Sequence, residues 1–210
     1  MKKVKITVMI SGGGTNLQSL IYNIHNNKDI NGEIVSVISN KEDVYGLSRA
    51  QNHNIKTKVI NRNQYASELE YEKSLFDFLE GLDTDLIVLA GYLSFIPITI
   101  IKKYENKIIN IHPSLVPSFC GKGFYGKKVH KAVIERGVKI TGATVHFVNE
   151  EMDGGPIIIQ RAVNVDLNDT IESLSEKVLK VEHEILPLAV KLFIDDKLKV
   201  INNKVDILNV

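Results

Sequence analysis

The sequence predicts a single α/β domain. Its core is a doubly wound, mostly parallel, Rossmann-like sheet with an antiparallel extension toward the C-terminus. Three observations predict this. Short runs rich in β-branched residues alternate with segments of three-and-four apolar spacing, the pattern of β-α-β units. The first run feeds a helix through Gly12-Gly13-Gly14-Thr15-Asn16. Residues 108–113 (IINIHP) open as an apolar strand yet present an amide and an imidazole before a proline. Open α/β sheets bind ligands outside the carboxyl ends of their strands.

The elements follow in order. Residues 4–11 (VKITVMIS) read as the first strand, and 17–26 as the helix after the glycine loop. Residues 33–39 give a second strand, 45–52 a short helix and 56–60 a third strand. Residues 67–82 place Tyr71, Leu75, Phe78, Leu79 and Leu82 on one helical face. Ser67 with Glu70 fits a capping-box start. Residues 85–90 (DLIVLA) form the most apolar strand, suited to the middle of a parallel sheet. A short helix at 96–104 leads to the strand Ile108–His112.

Beyond Pro117 the pattern changes. Residues 119–128 are glycine-rich and basic and read as a loop. Residues 129–136 form a helix closed by Gly137. Strands at 141–148 and 157–165 flank the loop 149–156 and are expected to pair antiparallel. The last helix, 171–193, carries a stripe of Ile171, Leu174, Val178, Val181, Ile185, Leu188 and Leu192. Pro187 is a candidate kink. Residues 1–200 read as the domain and 201–210 as a tail, either a strand or unanchored.

With 26 basic and 25 acidic side chains the net charge is +1. No global field points to nucleic acid or an anionic membrane surface. No apolar run reaches membrane-spanning length, and Val4–Ile10 is too short for a secretory core. One cysteine, Cys120, leaves no internal disulfide to form. The expectation is a cytoplasmic protein with small-molecule partners, monomeric or homodimeric.

Strand alternation puts Asn110 and His112 on one face and Ile109 and Ile111 on the other. Pro113 cannot extend the ladder, so the strand stops at its most polar point. Farther on, Asp153 precedes a glycine turn in Met152-Asp153-Gly154-Gly155-Pro156. Singly, each is an ordinary turn or core residue. Jointly, amide, imidazole and carboxylate make an acid-base site with an oxyanion donor. Ser114 has no nucleophile-elbow context. Cys120 reads as a free loop thiol, and His146 as a structural or supporting residue within its strand. His25, His53 and His183 read as solvated or structural. His112, His130 and His146 lack the close spacing of a metal site, so no metal is expected.

The glycine loop is a candidate anion site, since glycines let backbone N–H groups approach a phosphate at a helix start. A dinucleotide fingerprint is incomplete. Leu17 stands at the third glycine position, and the second strand ends in Ser39-Asn40 rather than an acidic residue. A phosphate monoester fits better.

Residues 110–117 (NIHPSLVP), 142–148 (GATVHFV) and 152–156 (MDGGP) resemble the folate-dependent formyltransferases. Residues 10–18 (ISGGGTNLQ) narrow the resemblance to the glycinamide ribonucleotide transformylase branch, over residues 2 to about 199. The resemblance implies formyl transfer from 10-formyltetrahydrofolate to the amine of 5'-phosphoribosylglycinamide, in purine synthesis. It implies that Asn110 and a protonated His112 donate to the formyl oxygen. Asp153 would favour the imidazolium and hold water for proton transfer. Gly14, Thr15 and Asn16 would take the phosphate, and Glu182 the ribose hydroxyls. Leu93, Ser94, Phe95 and Ile96, with Asn110, Asn149, Glu150, Glu151 and Met152, would hold the folate.

Two positions depart from the family's pattern. Ser94 stands where many members carry arginine, and Glu68 where some carry a folate-tail arginine, so no folate-tail contact is assigned. Two other formyl-folate activities are disfavoured by length. A methionyl-tRNA formyltransferase would need a carboxyl-terminal nucleic-acid domain, and a formyltetrahydrofolate deformylase an amino-terminal regulatory domain. A nucleotide-binding module without catalysis is the remaining reading, against which Asn110, His112 and Asp153 stand intact.

Overall fold

The computed structural model describes residues 2–208. In chain order it contains β1 (Val4–Ile10), α1 (Thr15–Leu20), β2 (Gly32–Ser39), α2 (Tyr45–Asn52), β3 (Lys56–Val59), α3 (Glu68–Glu80), β4 (Leu86–Leu89) and α4 (Ile98–Lys103). Then come β5 (Ile108–His112), α5 (Lys127–Arg136), β6 (Ile140–Phe147), β7 (Ile157–Asn164), α6 (Ile171–Ile194), β8 (Leu198–Ile201) and β9 (Lys204–Ile207). The seven-stranded sheet has the order β3-β2-β1-β4-β5-β6-β7, and β8 and β9 form a second sheet. β1 runs parallel to β2 and β4, and β2 parallel to β3, while β6 and β7 are antiparallel. This is the expected fold class, with its antiparallel extension. The chain divides into two compact units, Met1–Ile109 and Asn110–Val210, with the boundary inside β5.

In the first unit, β1 and β4 are buried along most of their length, which is why their sequences are apolar without alternation. α1 is shorter than expected and continues as a π-helical turn over Ile21–His25. Gly14 caps it in the left-handed region, at φ 70°. A Cβ on Gly14 would lie 2.7 Å from the Gly46 Cα, so the glycine loop and α2 touch backbone to backbone. In α3, Ser67 accepts a hydrogen bond from the Glu70 N–H as a cap. The Glu70 carboxylate reaches the Ala66 N–H instead of Ser67, so only half of the capping box forms. Tyr71, Leu75 and Leu79 are buried. Phe78 is only half-buried, with Lys56 Nζ 5.3 Å from its ring centre.

In the second unit, α6 begins with a reciprocal box between Thr170 and Ser173 that the sequence reading did not anticipate. Lys177 bridges Asp166 and Asp169 beside it, each at 2.7 Å. The helix runs on through Pro187, which is buried. Its apolar face is wider than a single stripe. Leu186, Ala189 and Val190 are fully buried, whereas Leu188, expected in the stripe, is 41 % exposed. The segment read as a tail forms the β8–β9 hairpin. Asn202 and Asn203, at φ 48° and 59°, supply the two left-handed positions of its turn. Residues 209 and 210 of that segment lie outside the described residues.

Burial holds His25, His130 and His146 below the ordinary imidazole pKa of 6.5. His25 Nδ1 accepts the Ile34 N–H at 3.2 Å, a bond that protonation there would break. The unfolded chain therefore binds more protons than the native one, and stability rises with pH in this range. Native stability is expected to be complete above about pH 6.5 and to fall as the pH drops through the depressed pKa values. Urea midpoints measured from neutral pH downward check this. A flat profile would show that these imidazoles do not govern acid sensitivity.

Candidate active site

β5 delivers the polar pair as strand alternation requires. His112 is buried and Asn110 half-buried, while Ile109 and Ile111 enter the core. Asp153 approaches from the loop after β6, in the left-handed region at φ 55°. That conformation is tolerable for a short polar residue. Asp153 Oδ2 lies 3.7 Å from His112 Nδ1, and Asp153 Oδ1 lies 3.8 Å from His146 Nε2. Both distances allow strong electrostatic interaction but exceed a direct hydrogen bond. Asn110, His112 and Asp153, far apart in sequence, thus meet in one cluster, with His146 between Asn110 and Asp153.

The start of the glycine-rich loop grips this cluster through its backbone. His112 Nε2 donates to the Phe119 carbonyl at 3.0 Å, and the Gly121 N–H donates to Asp153 Oδ2 at 2.8 Å. Gly121 sits at φ 81°, a conformation that glycine adopts without strain. The Phe119 bond places a proton on Nε2 and leaves Nδ1 facing the carboxylate. The sequence reading missed these two backbone partners, because no side-chain pattern reports where a carbonyl points.

The decoys resolve plainly. The Ser114 hydroxyl donates to the Ser118 carbonyl at 2.6 Å and so closes a turn. Cys120 Sγ points to the Pro117 carbonyl, and burial, followed by the charges of Asp153 and Glu151, pushes its pKa up. A raised pKa disfavours the reactive thiolate. Among the described residues no group of three His, Cys, Asp or Glu is disposed to hold a metal ion, and no helix is long and apolar enough to cross a membrane.

Other expected residues of this unit are also placed. Asn149 Oδ1 accepts from the Glu151 N–H at 3.0 Å, and the Gly154 N–H bonds the Glu151 carbonyl, so this loop is internally braced. Glu150 lies on the same loop, and Met152 is partly exposed there. Glu182 is buried in α6 rather than on its solvent face.

In the first unit, Gly14 caps α1, and Thr15 and Asn16, expected in the loop, form its first residues, with Asn16 buried and Thr15 exposed. The sequence reading missed Arg49. Its Nε donates to the Gly13 carbonyl at 2.8 Å and Nη1 to Gln18 Oε1 at 3.0 Å, with the guanidinium over the Tyr45 ring. The glycine loop is thus braced by a cation from α2. After β4, Leu93 and Phe95 are exposed and Ile96 is half-buried. The Leu93 N–H bonds Ser11 Oγ, and Ser94 Oγ accepts from Asn40 Nδ2 at 2.6 Å. Glu68 is paired with Arg62, which answers the charge that the family pattern does not lead one to expect there.

A family model described as formyl transferase matches residues 4–190. The chain belongs to the formyl transferase family. It is 42% identical over 199 residues to phosphoribosylglycinamide formyltransferase of Haemophilus influenzae, covering 95% of this chain and 91% of that protein. It is 47% identical over 190 residues to the trifunctional purine biosynthetic protein adenosine-3 of Gallus gallus. That match covers 90% of this chain but 18% of the longer protein, so the chain spans about a fifth of that relative's length. Glycinamide ribonucleotide transformylase 1 of Symbiobacterium toebii superposes with a TM-score of 0.92 at 37% identity, covering 99% of this chain and 95% of the other. Formyl transferases use a formyl-folate co-substrate, and the clustered amide, imidazole and carboxylate suit such chemistry.

Proposed function

We propose that this formyl transferase moves the formyl group of 10-formyltetrahydrofolate to the amine of 5'-phosphoribosylglycinamide. The products are N-formylglycinamide ribonucleotide and tetrahydrofolate, in purine synthesis. One observation carries the reading: Asn110, His112 and Asp153 converge on one cluster within a chain that aligns along nearly its whole length with enzymes of that name.

The acceptor amine attacks the formyl carbon and a C–N bond forms. Negative charge collects on the formyl oxygen. Asn110 stabilises that charge with an amide N–H, and His112 with a charged ring N–H, a stronger donor. The bond from carbon to the folate nitrogen then breaks. The proton lost by the amine returns to that nitrogen through His112 or through water held by Asp153. His112 Nδ1 faces the carboxylate while Nε2 is committed to Phe119, so Nδ1 is the nitrogen assigned to the reaction.

The glycine loop at Gly14, Thr15 and Asn16 takes the phosphate, and Glu182 the ribose hydroxyls. Leu93 to Ile96 and Asn149 to Met152 take the folate. The reaction as written needs no metal. A cytoplasmic location, small-molecule partners and a monomeric or homodimeric state complete the proposal.

The test compares 5'-phosphoribosylglycinamide with its dephosphorylated riboside, following the folate absorbance change. Turnover that depends on the phosphorylated acceptor supports the reading. Equal folate consumption with no acceptor present would instead mean hydrolysis of the formyl group. Thr15→Ala is expected to weaken the phosphorylated acceptor by about tenfold to hundredfold, the value of a hydrogen bond to a charged group, and to leave the folate unaffected. Titration of each ligand checks this, and equal loss of both would overturn the assignment. Thr15 suits the test better than Gly14, where any side chain would push on Gly46.

A further inference from the structure

We infer that His146 is a positioning residue for formyl transfer, setting the direction in which the Asn110 amide presents its free N–H. The inference rests on the proposed role of Asn110 and deepens it.

The argument starts from a glycine. A Cβ at Gly155 would lie 1.9 Å from the Phe147 carbonyl oxygen, so the second glycine of the Asp153-Gly154-Gly155 turn leaves that carbonyl in place. The carbonyl accepts from His146 Nδ1 at 2.7 Å. Nδ1 must therefore carry the proton, because two acceptors at that distance would repel. In the neutral ring Nε2 is then an acceptor only. Asn110 Nδ2 sits 3.1 Å from it and donates one of its two amide hydrogens. The reverse amide orientation would set Asn110 Oδ1 against the Nε2 lone pair. The chain of bonds thus selects one of two nearly isosteric amide orientations, which side-chain shape alone would not do.

The environment keeps His146 in this state. It is 1 % exposed, and burial, the largest influence, lowers its pKa. The groups facing the ring are Asp153, whose Oδ1 lies 3.8 Å from Nε2, and His112. Asp153 favours the charged ring and His112 disfavours it. Protonation would turn Nε2 into a donor, and Asn110 would have to present its carbonyl oxygen to it. The amide N–H₂ would then rotate out of its orientation, and the oxyanion would lose a donor.

A double-mutant cycle tests the inference. His146→Leu removes the acceptor while keeping an apolar side chain. It is expected to lower kcat by about tenfold to hundredfold, in line with the cost of small misplacements of a reacting group, with little change in KM for the ribonucleotide. His146→Gln supplies a neutral acceptor and is expected to recover part of that loss. On an Asn110→Ala background, His146→Leu is expected to change kcat less than about twofold, because its target is gone. Full, independent loss on that background would overturn the inference. So would His146→Leu and His146→Gln of equal activity.

Near-wild-type turnover of Asn110→Ala alone would instead overturn the role of Asn110, a distinct failure. Nitrogen NMR of the unsubstituted protein adds a check independent of folding. A protonated Nδ1 and unprotonated Nε2 on His146 at neutral pH are expected, and the opposite tautomer would sink the proposal.

Discussion

His112→Ala is expected to lower kcat by about 10²- to 10⁴-fold while affinity for the phosphorylated acceptor changes little. The imidazole faces both Asp153 and the loop carbonyl of Phe119, through opposite nitrogens. Alanine deletes a charged donor to the formyl oxygen and the proton relay in one step. It leaves the glycine loop, which lies in the other compact unit, with its own bonds. Single-turnover rates measured alongside the ribonucleotide dissociation constant separate the two effects. A large loss of affinity with an unchanged rate would move His112 from the chemistry to substrate binding.

Asp153→Asn is expected to reduce kcat by a comparable factor, about 10²- to 10⁴-fold. The substitution is sterically mild. Asparagine adopts the left-handed region at least as readily as aspartate, so φ 55° can be kept. The Gly121 N–H can still be accepted by the amide oxygen. What disappears is the negative charge near His112 Nδ1 and His146 Nε2. An imidazolium formed during proton transfer then lacks its counter-charge. Circular dichroism and the urea midpoint should stay close to wild type. A variant that folds normally and turns over at the wild-type rate would remove Asp153 from the mechanism.

Much of the fold was legible because β1, β4 and β5 are buried along most of their length and the loops carry glycine where the backbone requires it. The alternation through Ile108–His112 placed Asn110 and His112 on one face, and the structure keeps them there. Asp153 was legible from its glycine turn. Features that depend on backbone carbonyls were not. Nothing in a sequence announces that the Phe119 carbonyl meets His112, or that the Phe147 carbonyl sets the tautomer of His146.

Arg49 was missed for a similar reason, since its partner is the Gly13 carbonyl. Glu182 reads as a surface residue without the family resemblance, yet tertiary packing buries it beside an apolar stripe. The sequence signals the β8–β9 hairpin only weakly, because its strands are short and its turn is Asn-Asn rather than the stronger Asn-Gly. Leu188 falls outside because the buried arc of α6 is displaced from the expected row toward Leu186, Ala189 and Val190.

The central claim is that the Asn110, His112 and Asp153 cluster passes the formyl carbon directly from folate to a phosphorylated amine. The most direct measurement follows an isotope-labelled formyl carbon of 10-formyltetrahydrofolate by carbon NMR, with 5'-phosphoribosylglycinamide present. The account predicts that the label moves into an amide on the ribonucleotide, with no free formate, and that Asp153→Asn slows this transfer. Label appearing as formate, or remaining on the folate, would contradict it.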